Sequence, residues 1–256
     1  MKTLVTRTIT GIVFLVVILG SLFLPWYVFH ILITALACIG IHEYYKMMKK
    51  QSLKREEIVL IFLTIVLFAG LALIQNIDLS SFNTKMTLLG LFVIAFRGLV
   101  GISIVMMLFS IYNIYQKKEK SKPVFQRFPA LYSLLWITAP FLVMVMLNDI
   151  NMPLLLALMI IIYAYDTLAY CAGSLFGKHK LFERISPKKS WEGLVISLIM
   201  TSAASISFLF IPYFQNGVFT TVWHWIGFAL LVIVSATYGD LNESLIKRSY
   251  EVKDSG

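Results

Sequence analysis

Apolar residues in this chain come in unbroken runs. They show neither the strict alternation of a half-buried strand nor the one-sided stripe of a soluble helix. The runs fall at about 9–24, 27–42, 57–75, 87–114, 131–147, 153–172, 194–211 and 222–239. A helix needs about 20 mostly apolar residues to cross the hydrocarbon core of a bilayer. Backbone polar groups find no water there, so a crossing segment satisfies them within its own helix. The pattern therefore predicts an all-α, polytopic integral membrane protein with about eight transmembrane helices. The first two runs are short and meet at Pro25-Trp26-Tyr27, where Trp and Tyr suit the membrane interface. The fourth is long and carries Arg97, which fits a tilted helix or one broken near Gly98 and Gly101. The chain reads as N-terminal membrane helices over 1–128, then a membrane region over 129–256 whose polar connectors hold the chemistry. No internal repeat or low-complexity linker is visible.

The polar connectors alternate in charge. Lys2 and Arg7 lead the chain. Lys46, Lys49, Lys50, Lys54 and Arg55 fill the second connector, and Lys117, Lys118, Lys120, Lys122 and Arg127 the fourth. Lys178, Lys180, Arg184, Lys188 and Lys189 fill the sixth, and Lys247, Arg248 and Lys253 the tail. Of 22 basic residues only Lys85 and Arg97 lie elsewhere. Eight spans with both termini inside place all these connectors on one face, as the positive-inside rule requires. The expected location is the cell (inner) membrane, with both ends and the active site cytoplasmic. Composition agrees: of 256 residues 59% are hydrophobic and 14% charged, and the mean hydropathy is +0.83. The formal charge of +9 would suggest nucleic acid in a soluble protein. Here it belongs to the connectors, and no nucleic acid is expected. Lys2 and Arg7 before an apolar run resemble a signal peptide, and Ala35-Leu36-Ala37 a cleavage site. That site comes too late, after a second run, so an uncleaved helical hairpin is expected. Cys38 and Cys171 form no pattern and read as packing residues.

Chemistry concentrates at three places. Asp166 stands inside an apolar run, where a carboxylate costs about 2.5–3.5 kcal/mol on insertion scales. It either pairs with Arg97 or serves catalysis, metal or nucleotide binding. The tail, Gly239-Asp-Leu-Asn-Glu-Ser-Leu-Ile-Lys-Arg248, puts Asp240, Glu243 and Lys247 on one face if it is helical, with Ser244 and Arg248 in an adjacent row. Carboxylates beside cations can hold Mg²⁺ and steady phosphate oxygens; a solvated helix laced by i,i+4 pairs has the same pattern. In the sixth connector, Ser186-Pro-Lys-Lys-Ser-Trp-Glu-Gly193 offers Ser186 and Ser190 as donors to phosphate and Lys188 and Lys189 as point charges. Glu192 would anchor a lysine or a metal. Lipid-headgroup attraction explains the lysines, but not the Pro, Trp, Glu and Gly around them. His179 among the lysines is a weaker phosphate contact, His42-Glu43 reads as an interface anchor, and His30 and His224 as structural. There is no HExxH, Walker loop or GxSxG.

Asp166-Thr-Leu-Ala-Tyr, Gly173-x-x-x-Gly177-Lys-His-Lys, Ile185-Ser-Pro-Lys-Lys-Ser-Trp-Glu-Gly193 and Gly239-Asp-Leu-x-Glu-Ser-x-x-Lys-Arg-x-x-x-x-Lys-Asp-Ser-Gly256 together resemble the bacterial phosphatidate cytidylyltransferase (CDP-diacylglycerol synthase) family. The likeness covers about the last 90 residues in order and spacing; the earlier runs match in hydropathy alone. The resemblance implies transfer of a cytidylyl group from CTP to phosphatidate, with pyrophosphate released and Mg²⁺ as cofactor, with room for a second metal ion. It implies metal binding by Asp240, Asp166 and Asp254. Lys188, Lys189, Lys247, Arg248 and Lys253 would hold phosphates, Ser186 and Glu192 would order the loop, and Ser190, Glu243 and Ser244 would line the nucleotide side. Asp240, Lys247, Arg248 and Asp166 are the expected catalytic set. Expected partners are CTP, phosphatidate and membrane lipids, with a homodimer kept open. Relatives run on past Lys-Asp-x-Gly with Pro-Gly-His-Gly-Gly, an Asp-Arg pair and a last helix, which this sequence lacks. A truncated chain with weak or no catalysis is the expectation from that difference. The rival readings are a CTP-dependent polyprenol kinase, which would release CDP, and a non-catalytic transporter or membrane partner.

Overall fold

A computed structural model describes residues 2–48, 54–76, 128–215, 219–250 and 252, with isolated positions between 101 and 126. The helices are α1 (Lys2–Leu22), α2 (Trp26–Met47), α3 (Lys54–Asn76), α4 (Pro129–Phe176), α5 (Trp191–Ser205) and α6 (Val222–Ser249), and the described positions from 101 to 115 are helical too. The protein is all-α and polytopic. Helices α2, α4, α5 with its 3₁₀ extension to Phe210, and α6 are each long and apolar enough to cross a membrane. Ala35-Leu36-Ala37 lies in mid-α2 with Ala37 buried. Arg97, most of the fourth apolar run and the basic connector at 117–122 lie outside the described residues.

Helix α4 shows how the runs at 131–147 and 153–172 are divided. Its 48 residues would extend about 72 Å as one helix, over twice the hydrocarbon thickness. The chain leaves helical geometry at Asn151 (φ −157°, ψ 76°). The Asn151 Oδ1 accepts from the Leu154 N–H at 3.0 Å, capping the second helix, and Pro153 occupies its first turn, where a missing N–H costs nothing. Two span-length helices therefore follow each other. The chain folds as two compact units that part here, one ending at Asp149 and the other beginning at Ile150.

In the first unit α2 packs with α1, α3 and the start of α4. That start contains a π-helical turn, Leu134–Thr138. Thr138 and Thr64 share a buried hydrogen bond at 3.1 Å, and Ile137 sits where a Cβ on Gly40 would come within 3.1 Å. Tyr132 stacks on both Tyr44 and Trp136. Buried His30 places Nε2 3.1 Å from both carboxylate oxygens of Asp149, the structural part expected of it.

In the second unit the core gathers Ala157, Ile161 and Tyr165 of α4 with Phe208, Phe214, Trp225, Ala229, Val232 and Ile233. The α4 members recur every four residues and those of α6 at i, i+4, i+7 and i+8, one stripe on each helix. Between α4 and α5 lies an antiparallel hairpin, β1 (Lys180–Phe182) with β2 (Ser186–Ser190), pairing Lys180 with Ser190 and Phe182 with Ser186. The run pattern does not predict it. Helix α6 spans 28 residues, about 42 Å, so it outruns the apolar run that ends near 239 by some ten residues. The charged tail is thus helical through Arg248.

Candidate active site

The facing stripes of α4 and α6 end in a polar step. The buried Tyr165 hydroxyl lies 2.6 Å from Thr237 Oγ1, and Thr237 Oγ1 donates its own proton to the Ile233 carbonyl at 2.7 Å. The phenol is therefore the donor to Thr237. Asp166 follows Tyr165 by one residue, and Asp240 follows Thr237 by one helical turn. Both carboxylates are exposed, and Asp166 is within electrostatic reach of Asp240 and of Lys189. Lys189, reaching from β2, pairs directly with Asp240. One residue from each of three elements, α4, β2 and α6, thus lies within electrostatic reach of the other two.

The hairpin is held there from below. Leu181 and Ile185 are buried, and Arg248 Nε donates to the Ile185 carbonyl at 3.5 Å, a long bond. Lys189 and Arg248, two turns apart along α6 in their contacts, fasten the hairpin to that helix. Successive side chains of a strand point to opposite faces. Lys188 accordingly stands exposed while Lys189 turns to Asp240. Glu192 in the first turn of α5, ahead of the apolar run that starts at 194, reaches back to the loop before β1. It accepts from the Lys178 N–H at 3.1 Å, from the His179 N–H at 3.2 Å, and lies 2.6 Å from His179 Nδ1. The His179 hydrogen bond, with the backbone donors behind it, lowers the Glu192 carboxyl to about 2. It clasps the loop, and among the described residues no lysine ammonium pairs with it.

Ser190 also has a part different from the one read in the sequence. It is buried, and its Oγ accepts from the Gly193 N–H at 3.2 Å as the N-cap of α5. A Cβ on Gly177 would stand 2.7 Å from that Oγ, and one on Gly193 would stand 2.9 Å from the Ala169 carbonyl oxygen and 3.0 Å from Gly173 Cα. The three glycines are the close crossing of α4 and α5, which delivers the hairpin to its place. Their spacing was on view in Gly173-x-x-x-Gly177 and Gly193, but the partner helices were not.

The remaining expected residues are distributed as follows. Glu243 pairs with Lys247 at 2.6 Å on the exposed side of α6, the i,i+4 pair of a solvated helix. Ser186 and Ser244 are half-buried at the start of β2 and on α6. Lys253 and Asp254 lie outside the described residues, as does Arg97, so the pairing of Arg97 with Asp166 does too. Among the described residues no three His, Cys, Asp or Glu side chains converge on one point. Asp166 and Asp240 are a carboxylate pair, and Mg²⁺ commonly takes one or two carboxylates and completes its shell with substrate phosphates and water. The donor set fits such an ion, and the Lys189 ammonium already marks Asp240 as a seat for positive charge. Sequence reasoning missed Tyr165 and Thr237, which stand just outside the motifs and signal nothing by residue type.

Comparison with known proteins bears on the whole chain. Residues 5–256 match the cytidylyltransferase family. A phosphatidate cytidylyltransferase of Haemophilus influenzae is 32% identical over 97% of this chain and 88% of its own length. A phosphatidate cytidylyltransferase of Mycobacterium leprae is 41% identical over 39% of this chain and 30% of its own. One of Staphylococcus aureus is 37% identical over 38% of this chain and 36% of its own. No solved structure matches.

Proposed function

This chain belongs to the cytidylyltransferase family, and from that premise we infer that it is a membrane nucleotidyltransferase of phospholipid biosynthesis, joining CTP to phosphatidate to give CDP-diacylglycerol and pyrophosphate. The observation that carries the assignment is the match along the whole chain. In the reaction a phosphate oxygen of phosphatidate forms a bond to the α-phosphorus of CTP. The bond from that phosphorus to the β-phosphate oxygen breaks, and the electron pair leaves with pyrophosphate. Both reactants are anions, so the barrier lies largely in crowding negative charge, and positioning and neutralisation supply the catalysis.

The site has the parts for this. Asp166 and Asp240 would hold Mg²⁺, which when bound neutralises phosphate charge. Lys189 would exchange Asp240 for a nucleotide phosphate, while Lys188 on the hairpin and Lys247 and Arg248 near the end of α6 would supply further cations. Glu192 and Ser190 act on the loop and the helix crossing. The charge pattern supports a cytoplasmic position for this face and both termini, on the side where CTP is. Labelled CTP incorporation into lipid, with the released product identified, tests the reading. Asp240→Asn should lower incorporation by about a hundredfold or more. Release of CDP in place of pyrophosphate would point to a lipid kinase, and full activity of Asp240→Asn would remove the carboxylate from the chemistry.

A further inference from the structure

Two helices that meet only through apolar stripes can slide by fractions of an ångström at little cost, because dispersion has no direction. The α4 and α6 stripes, Ala157, Ile161 and Tyr165 against Trp225, Ala229, Val232 and Ile233, have that character until their last step. There Tyr165 donates to Thr237 at 2.6 Å, and Thr237 is itself pinned to the Ile233 carbonyl at 2.7 Å. Both side chains are buried, so neither has water as a substitute partner. The bond ties the phenol through Thr237 to the backbone of α6. It also stands immediately before the two carboxylates. Asp166 lies one residue on from Tyr165, about 1.5 Å along the axis, and Asp240 three on from Thr237, about 4.5 Å. The numbering rises in the same direction on both helices, so the two carboxylates differ in height by about 3 Å. A one-turn slip of either helix would separate them by more than a cation can bridge.

We propose that Tyr165 and Thr237 are a positioning pair, whose buried hydrogen bond fixes the register of α4 against α6 and so sets the spacing of Asp166 and Asp240 for a shared divalent cation. The inference rests on the reading above that these carboxylates hold such an ion. Neither residue touches substrate; each acts through the aspartate beside it. Thr237→Val keeps the shape of the side chain and removes the acceptor, Tyr165→Phe removes only the donor oxygen, and Thr237→Ser keeps the hydroxyl.

The test uses the full chain in detergent micelles. Mn²⁺ binding is followed by electron paramagnetic resonance, and the Mg²⁺ dependence of CTP incorporation is measured beside it. Wild type and Thr237→Ser should bind Mn²⁺ alike. Tyr165→Phe and Thr237→Val should bind it about three- to tenfold more weakly and need correspondingly more Mg²⁺, with the phosphatidate concentration for half-maximal rate unchanged. If Thr237→Val fails to fold, Tyr165→Phe, which deletes a single atom, decides the matter. Equal Mn²⁺ affinity in wild type and Tyr165→Phe overturns the positioning role and leaves the family reaction standing. Equal weakening of the metal and phosphatidate constants in Tyr165→Phe would mark a general packing defect and overturns it as well. A wild-type protein that binds no Mn²⁺ and needs no Mg²⁺ overturns the metal reading first and this inference with it.

Discussion

At Glu192 one carboxylate gathers two backbone N–H groups and an imidazole, and these donors hold it ionised far below the ordinary glutamate range, at about 2. A depressed folded-state value means that the clasp contributes its full stability above the ordinary glutamate value of 4.5, and loses it as the pH falls from there through about 2. Glu192→Gln removes the charge and keeps the shape. It should lower the unfolding temperature near neutral pH, and the gap to wild type should close on acidification below the glutamate range. A gap that stays constant to pH 3 would show that the charge of Glu192 does not hold the loop. Activity should fall several-fold at saturating CTP, since this loop leads into β1, the pairing partner of the strand that carries Lys189. The residue type revealed a carboxylate beside lysines, and a lysine or metal partner was the natural reading. The actual donors are the His179 imidazole and backbone groups thirteen and fourteen residues earlier, and no side-chain pattern advertises the backbone part. Ser190 is similar. An N-cap Ser is usually flagged by Glu or Gln three residues on, but here that position is Gly193, required for the approach of α4. By contrast Asp240, Asp166 and Lys189 were legible, because a carboxylate in an apolar run and paired lysines in a patterned loop are costly or specific enough to stand out.

The elements were legible in proportion to how far hydropathy alone determines them. Helices α1 to α3 and α5 follow from long apolar runs, and the α4 break follows from Asn151 and Pro153, a cap and a first-turn proline in adjacent turns. The helical tail was readable only as a condition, through the spacing of Asp240, Glu243 and Lys247. The hairpin was not readable. Its strands are three and five residues long, one contains Pro187, and most of its positions are charged or polar. Its pairing exists because Leu181 and Ile185 bury themselves and Lys189 finds Asp240, all of them tertiary events. The glycine crossing gives a prediction at this scale. Gly193→Ala would push a Cβ to 2.9 Å from the Ala169 carbonyl oxygen and 3.0 Å from Gly173 Cα, both backbone atoms that cannot rotate away. Overpacking of this kind costs about 1–3 kcal/mol. The unfolding temperature should drop by several degrees, and activity with it. Gly227→Ala on α6 meets nothing within 4 Å and is the control, expected to be neutral or slightly stabilising by helix propensity. Equal tolerance of both substitutions would show that α4 and α5 do not approach closely at Gly193.

For the whole molecule, the physical question is which face of the membrane receives the site. The second unit carries its cations at the hairpin and the end of α6, while the α4 break at Asn151 sits one span earlier with Asp149 as its nearest charge. A helix that begins at this break and ends at Phe176 is long enough to separate the two places by a full bilayer. The proposed orientation, argued from the positive-inside rule, has the hairpin in the cytoplasm and the break outside. Ile150 is 78% exposed and Glu183 in the hairpin turn is exposed, so both can report. In a protein with Cys38→Ser and Cys171→Ser, Ile150→Cys should react with a membrane-impermeant maleimide added to intact spheroplasts. Glu183→Cys should react only after the membrane is opened. The reverse pattern would put the hairpin outside, away from CTP, and the proposed orientation would fail even with the fold intact. Labelling of both from the same side would be more damaging, because the helix after Asn151 would then not cross at all. Asp166 would no longer stand inside a membrane-crossing run, where a carboxylate is costly, and the first reason for reading it as part of the site would go.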